Sequence, residues 1–380
     1  MRRDERRIIL TMTDYYLPGY KGGGPIRSIS NLVAVLGESF DFRILTRDRD
    51  LGDSQPYTAV QNGTWAPVGA ALVRYLAPED RIVDAAQTCD HDVLYLNSFF
   101  STLSVQLVLA RWRGELARTP LIVAPRGEFY PSALALKAAK KRAYLTMAKA
   151  LRLYRDVQTW QASNEEEAGY IRRIFPKATV RIVPDLPTPF PDLMVEKPPR
   201  TEGLHVVFLG RVARNKNLDY ALRLLAGVDF PLVFHIYGPQ QDPAYWETCA
   251  ALMRDLPPHI EASYKGELAP DAVIPTLARY HALLFPTQGE NFGYVIHEAL
   301  AAGVLPVISD RTPWQPIENV LWTLPLGEPS QFVEALRMIY TMDNSIYQAQ
   351  SDAAVDTARR MNADNSAVQA THRLFEGSTG

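Results

Sequence analysis

A chain of 380 residues is too long for one ordinary core, so two domains are expected, each large enough to bury a sheet. A net charge of −2 with 47% apolar residues describes a globular composition and excludes the basic surface of a nucleic-acid binder. The two cysteines, Cys89 and Cys249, have no metal-ligand spacing and make no disulfide framework; reduced thiols in a cytoplasmic protein are expected.

The opening "MRRDERRIILTMTDYY" has a basic head, but its apolar stretch from Ile8 breaks at Thr13 and Asp14. That is too short for a signal peptide or a membrane span, and it reads as a first β-strand, Arg7–Met12. Further strands are predicted at Phe42–Thr46, Val93–Leu96, Leu121–Ala124 and Val157–Ala162, with helices such as Pro25–Leu36 and Ser132–Leu153 between them. "SNEEEAGYIRRIF" opens with Ser163 and Asn164 at capping positions and three acids in its first turn, as a helix does. After the strand "TVRIV" comes "PDLPTPFPDLMVEKPPR", where repeated prolines exclude both helix and central strand and mark a linker. The pattern then restarts: strand "LHVVFLG", helix Leu218–Leu225, strand "PLVFHIYG", helix, strand, helix, strand "ALLFPT", the helix of "GENFGYVIHEALAAG", and strand "PVIS". There is no repeat of solenoid period and no low-complexity tail. The predicted organisation is α/β: two Rossmann-like, doubly wound domains at 1–185 and 201–360, a proline-rich linker at 186–200, and a C-terminal helix at 361–380 packing back on the first domain.

Open α/β sheets bind ligands at the carboxyl ends of their strands, so the cleft between two such domains is the expected site. Three strand-end loops stand out. "YKGGGPIRS" after the first strand offers Gly23 and Gly24 for close approach of an anion, with Pro25 suited to the first helical position; an ordinary flexible loop is the alternative. "FLGRVARNKNLDYAL" places Arg211 and Lys216 in the turn after Gly210, where a planar fork and a compact charge suit a diphosphate; a solvated basic turn is the alternative. In "GENFGYVIHEALAAG", Asn291, Phe292 and Gly293 bring main-chain donors to a helix start, while Glu290 and Glu298 suit hydroxyls on the ligand. A capping glutamate and an exposed helical one would account for each acid singly, though not for the order of the whole set.

"FLGRVARNKNL" followed by "PTQGENFGYVIHEALAAGVLPVISD" resembles the retaining GT-B glycosyltransferases of family 4. The resemblance extends through the glycine loop, "LIVAPRGEF" and "ASNEEEAGYIRRI", in order along the chain. It implies that Arg211 and Lys216 hold the donor diphosphate, Glu298 the ribose hydroxyls and Glu290 the donor hexose. The amides of Asn291–Gly293 would approach sugar and phosphate, and the base would lie near Gly238 and Tyr264–Gly266, beside Lys265. Arg211, Lys216 and Glu290 are the implied catalytic residues. The sequence departs from many relatives in one loop, which carries Arg126 and Glu128 where they have a histidine; with Arg27 these are assigned to the acceptor side. His297 is expected on the helix surface.

No paired carboxylates suited to double displacement are evident. The resemblance implies retention by front-face substitution, the departing diphosphate helping to deprotonate the acceptor, with a nucleotide-sugar donor, a glycan or lipid-linked acceptor, no further cofactor and no metal. "TRDRDLG" contains Asp48-Arg49-Asp50, a DxD of the kind metal-dependent transferases use; it is read as a surface loop. A sugar-nucleotide epimerase and an inactive glycan-binding module are the alternative functions. Finally, "SALALKAAKKRAYLTMAKALRL" combines Lys137, Lys140, Lys141, Arg142, Lys149 and Arg152 with apolar residues. It reads either as a core helix with a solvated basic face or as a dock on anionic lipid at the inner face of the cell membrane.

Overall fold

The computed structural model describes residues 6–190, 197 and 199–377. The chain divides into two units, one running to Leu186 and taken up again from Asn365, the other spanning Pro187–Asp364. Residues 191–196 and 198 of the expected linker lie outside the described residues.

In the first unit, β1 (Ile8–Met12), β2 (Asp41–Arg47), β3 (Trp65–Val68), β4 (Ala71–Leu76), β5 (Val93–Asn97), β6 (Leu121–Ala124), β7 (Val157–Ala162) and β8 (Val180–Ile182) form one sheet in the order β3-β4-β2-β1-β5-β6-β7-β8. Every pairing is parallel except β3 with β4. The central strands are buried along their whole length because helices cover both faces, as in "VLYLN" of β5 and "LIVA" of β6. The helices are α1 (Gly24–Leu36), α2 (Ile82–Gln87), α3 (Thr102–Arg113), α4 (Pro131–Ala135), α5 (Ala138–Ala150) and α6 (Glu165–Ile174).

The second unit has β9 (Leu204–Leu209), β10 (Leu232–Tyr237), β11 (Ile260–Gly266), β12 (Ala282–Phe285), β13 (Leu305–Ser309) and β14 (Trp322–Leu324), all parallel, in the order β11-β10-β9-β12-β13-β14. Its helices are α7 (Leu218–Leu225), α8 (Pro243–Arg254), α9 (Val273–Leu277), α10 (Tyr294–Ala301), α11 (Pro329–Thr341) and α12 (Asn344–Ala363). A last helix, α13 (Ser366–Glu376), belongs to the first unit. Its Phe375 is buried edge-on against Phe40, Phe42 and Tyr95, and Arg7 donates to the Phe375 carbonyl at 2.8 Å.

Strand order fixes where loops converge. In the first sheet the chain leaves β1 to one side and returns on the other through β5; in the second it does the same around β9 and β12. The ends of β1 and β5, and of β9 and β12, are therefore the two topological switch points, where a doubly wound sheet opens a crevice.

Three elements differ from expectation. The helix predicted over 132–153 is two helices, α4 and α5, broken where Lys137 adopts a left-handed backbone (φ 54°). Leu134 packs on the first core from one side of the break and Tyr144 and Leu145 from the other, and Lys141 Nζ caps the Ala133 carbonyl at 2.7 Å. Tertiary packing overrides uniform helix propensity here. Trp65–Val68 and Ala71–Leu76 form a hairpin that was not expected, because Pro67 argues against a strand and is tolerated only at the sheet edge. The three-residue β14 was also not expected.

Candidate active site

The second switch point gathers the sequence motifs. Gly210 follows β9 and lies against the end of β10: a side chain at Gly238 (φ 133°) would come within 2.0 Å of the Gly210 carbonyl oxygen. The main chains of the two strand ends therefore touch, and Val212 donates to the Pro239 carbonyl at 2.9 Å. This seats the loop bearing Arg211 and Lys216 on the loop after β10.

Arg211 donates through Nη1 to Gln241 Oε1 at 2.9 Å. Burial disfavours its charge, and the Glu290 carboxylate counters that effect. Lys216 Nζ lies 2.5 Å from Glu290 Oε1, with the two side chains only 13% and 12% exposed. The same oxygen accepts from Thr287 Oγ1 at 2.8 Å. The expected division of labour, a lysine for phosphate and a glutamate for sugar, thus becomes one coupled pair. Its formal charge is zero, so the positive potential left at this switch point comes from Arg211 and from main-chain amides.

Those amides sit at the start of α10. Gly293 precedes the helix in a left-handed conformation (φ 81°, ψ 61°), and a Cβ there would lie 2.8 Å from Ile296 Cδ1. Gly293 is buried, and among the described residues no protein acceptor takes its N–H. An N–H in that condition can donate to water or to a bound acceptor. Asn291 and Phe292 are half-buried beside it. Glu298, one turn in, is buried, whereas Lys265 is exposed near the end of β11; Tyr264 donates to the Gly238 carbonyl at 2.9 Å.

His297 corrects the sequence reading. It is fully buried, because α10 is apolar nearly all round and packs on α12. Its Nε2 pairs with Asn362 Oδ1 at 2.8 Å, and burial lowers its pKa to about 4, so it is neutral at pH 7.

The residues assigned to the first unit behave differently. Gly23 (φ 68°) and Gly24 begin α1, with Arg27 half-buried in its first turn. In the preceding loop Tyr20 and Lys21 donate their amides to Asp50 Oδ2 at 2.7 and 3.0 Å, and Gly23 donates to the Tyr20 carbonyl at 3.0 Å. Asp48 is buried, accepting from Arg49 at 2.8 Å and Asn62 at 2.9 Å. The DxD expected on a surface loop is thus a pair of buried acids spent on internal donors. Arg126 (φ 54°) is paired with Asp185 and donates to Asn97 at 2.9 Å and Tyr95 at 2.6 Å, while Ser28 donates to Asp185 at 2.7 Å. Glu128 accepts from Ser98 Oγ at 2.7 Å and from the Phe99 and Phe100 amides at 2.5 and 3.1 Å. Burial raises its pKa, opposed by those hydrogen bonds and by Lys141.

Sequence reasoning missed three contributors on the second switch point: Thr287, Gln241 and Trp314. The last donates from Nε1 to the Phe292 carbonyl at 2.6 Å. A tryptophan after proline in a loop that follows an apolar strand was the available signal.

Residues 203–342, all within the second unit, match the family model described as Glycosyl transferases group 1. No curated protein matches the chain. Over nearly its whole length the fold is that of solved GT-B glycosyltransferase structures. A sucrose-phosphate synthase from Thermosynechococcus elongatus is 16% identical over 98% of this chain and 100% of that one, with a TM-score of 0.74. HepE from Anabaena, solved with UDP-glucose, is 14% identical over 98% and 99%, with a TM-score of 0.71. WaaG, a glycosyltransferase involved in lipopolysaccharide biosynthesis, is 13% identical over 97% and 100%, with a TM-score of 0.67.

Proposed function

We propose that this protein is a retaining hexosyltransferase that uses a nucleoside-diphosphate sugar and needs no metal. Its acceptor is a glycan or lipid-linked glycan of bacterial surface or exopolysaccharide assembly. The observation that carries the reading is the meeting of Arg211, the Lys216–Glu290 pair and the Gly293 amide at one switch point.

In the reaction, the bond from the anomeric carbon to the diphosphate oxygen breaks while the acceptor oxygen bonds to the same face. The acceptor proton passes to the departing diphosphate. Charge grows on the leaving group, and Arg211 with the amides at the head of α10 stabilises it in place. Glu290, held by Lys216 and Thr287, is oriented toward a hexose hydroxyl, and Glu298 toward the ribose. Asp48 and Asp50 are already engaged with Arg49, Asn62 and the loop amides, which argues against their holding a divalent ion for this step.

A screen of nucleotide sugars by thermal shift, with EDTA present throughout, tests this reading. A ligand at 100 times its Kd adds about 2.7 kcal/mol of stability. Acceptor-dependent release of nucleoside diphosphate then separates a transferase from an epimerase. No stabilisation by any nucleotide sugar would end the proposal.

The protein works from the inner face of the membrane, docked through α4 and α5. Residues 129–155 carry seven Lys or Arg and no Asp or Glu. Leu136, Met147 and Leu151 on the same stretch are 63%, 40% and 40% exposed. Tyr144, hydrogen-bonded to Tyr154 at 2.7 Å and set among Phe99 and Phe100, mounts α5 on the core. Among the described residues no helix is long and apolar enough to cross a membrane. Basic residues near an anionic surface contribute around 1 kcal/mol each. Flotation with anionic vesicles should carry the protein, and neutral vesicles should not; equal, negligible binding to both rejects the dock.

A further inference from the structure

The loop after β13 grips the "GENFG" segment at two points. The Arg311 carbonyl accepts from the Glu290 amide at 3.1 Å, and Trp314 Nε1 donates to the Phe292 carbonyl at 2.6 Å. Behind them, Ser309 Oγ donates to the Thr287 carbonyl at 2.5 Å, tying the end of β13 to the end of β12. Trp314 is only 9% exposed, and its ring lies 5.8 Å from that of Phe292.

A peptide unit is planar and here trans, so the carbonyl of Phe292 and the N–H of Gly293 point in opposite directions. Whatever holds that carbonyl therefore sets where that amide points. We infer that Trp314 is a positioning residue of the donor site: its indole N–H fixes the 292–293 peptide so that the Gly293 amide is presented to a diphosphate. This deepens the donor reading given above and rests on it. A Cβ at residue 293 would sit 2.8 Å from Ile296 Cδ1 and 3.4 Å from Trp314 Nε1, so a side chain there would crowd the indole that holds this peptide. Without the indole donor, the Phe292 carbonyl loses the partner that defines its direction, and the peptide is free to turn. An amide that must be found by rotation at each binding event is a weaker anion ligand than one already aimed.

The test is binding of UDP, GDP, inorganic pyrophosphate and the free nucleosides uridine and guanosine, by calorimetry, with a thermal melt of each variant. Trp314→Phe keeps an aromatic ring and removes the N–H. Replacement of Trp314 by its benzothiophene analogue keeps the bicyclic shape as well, and decides the matter if Trp314→Phe folds poorly. Both should bind the preferred nucleoside diphosphate about tenfold more weakly, the scale of one lost hydrogen bond to a charged group, while nucleoside affinity stays as in the wild type. In steady-state assays KM for the donor should rise further than kcat falls. Unchanged diphosphate affinity in a folded variant overturns the role of Trp314. Arg211→Ala is the companion: if it weakens binding while the Trp314 variants do not, the donor site stands and only this inference fails. If the wild type binds none of the diphosphates, both fall.

Discussion

The two switch points are built alike and left in different states. At the first, each strand-end acid and base has an internal partner: Asp14 takes Arg47 at 3.0 Å and Ser101 at 2.7 Å, and Glu128 fills the amides ahead of α3. Asp50 does the same for the loop before α1. At the second, no carboxylate caps α10, and the Gly293 amide has no protein acceptor among the described residues. Charged residues at strand ends thus do not by themselves mark a ligand site. What separates the two is the helix head: Asp50 accepts from the loop amides before α1, whereas no side chain caps α10.

The largest effect expected from this contrast is on stability alone. Arg126→Ala leaves Asp185 buried without its ion-pair partner and should cost about 3–5 kcal/mol. Hydrogen exchange should accelerate in β5 and β6 while β9 keeps its protection and nucleotide affinity stays the same. Weaker nucleotide binding with unaltered exchange would instead make Arg126 a ligand residue and break the contrast.

Next comes turnover. Lys216→Ala should lower kcat by about 10²–10³, because it leaves the Glu290 carboxylate unneutralised where negative charge grows on the leaving group. Glu290→Gln should give a smaller loss, and the two changes together should not add, because the pair acts as a unit. Additive losses in initial-rate assays would mean that the 2.5 Å contact does not couple them.

Third is pH. The folded pKa of His297, about 4, lies below its unfolded value near 6.5, so between those limits the unfolded chain binds the extra proton. Stability should therefore fall as pH drops from 6.5 toward 4, by up to about 1.4 kcal/mol per pH unit from this group. His235, also lowered to about 4 by burial, adds to the slope. His297→Asn should flatten part of it in chemical denaturation series; an unaltered slope would remove His297 from the account.

The smallest expected effect is Asp50→Asn. It weakens two charge-assisted bonds to the Tyr20 and Lys21 amides, about 1–2 kcal/mol of stability, and should leave EDTA-treated enzyme active. Loss of activity that manganese or magnesium restores in the wild type would return the DxD to a metal role.

The βα alternation was readable because buried parallel strands are apolar throughout and their helices are periodic. Short or compromised elements were not: Pro67 hides β3, and β14 has too few residues to show a pattern. Motifs on the second unit were readable as a set, since Arg211, Lys216 and Glu290 are chemically conspicuous. Their pairing was not, because a spacing of 74 residues says nothing of which carboxylate meets which ammonium. His297 was misread because a polar residue on a short helix looks exposed until its partner, Asn362, is known. Asp50 and the glycine loop stood as two unrelated motifs; in the structure the first caps the second.

The return of α13 to the first unit bears on how the chain is made. A ribosome delivers Pro187–Asp364 whole before it delivers Phe375, which the first unit needs beside Phe40, Phe42 and Tyr95. Domains generally close as they emerge, the N-terminal one first. Here the second unit is contiguous and can close on emergence, while the first holds an aromatic face open through the whole synthesis of its neighbour. The half that is born first is finished last.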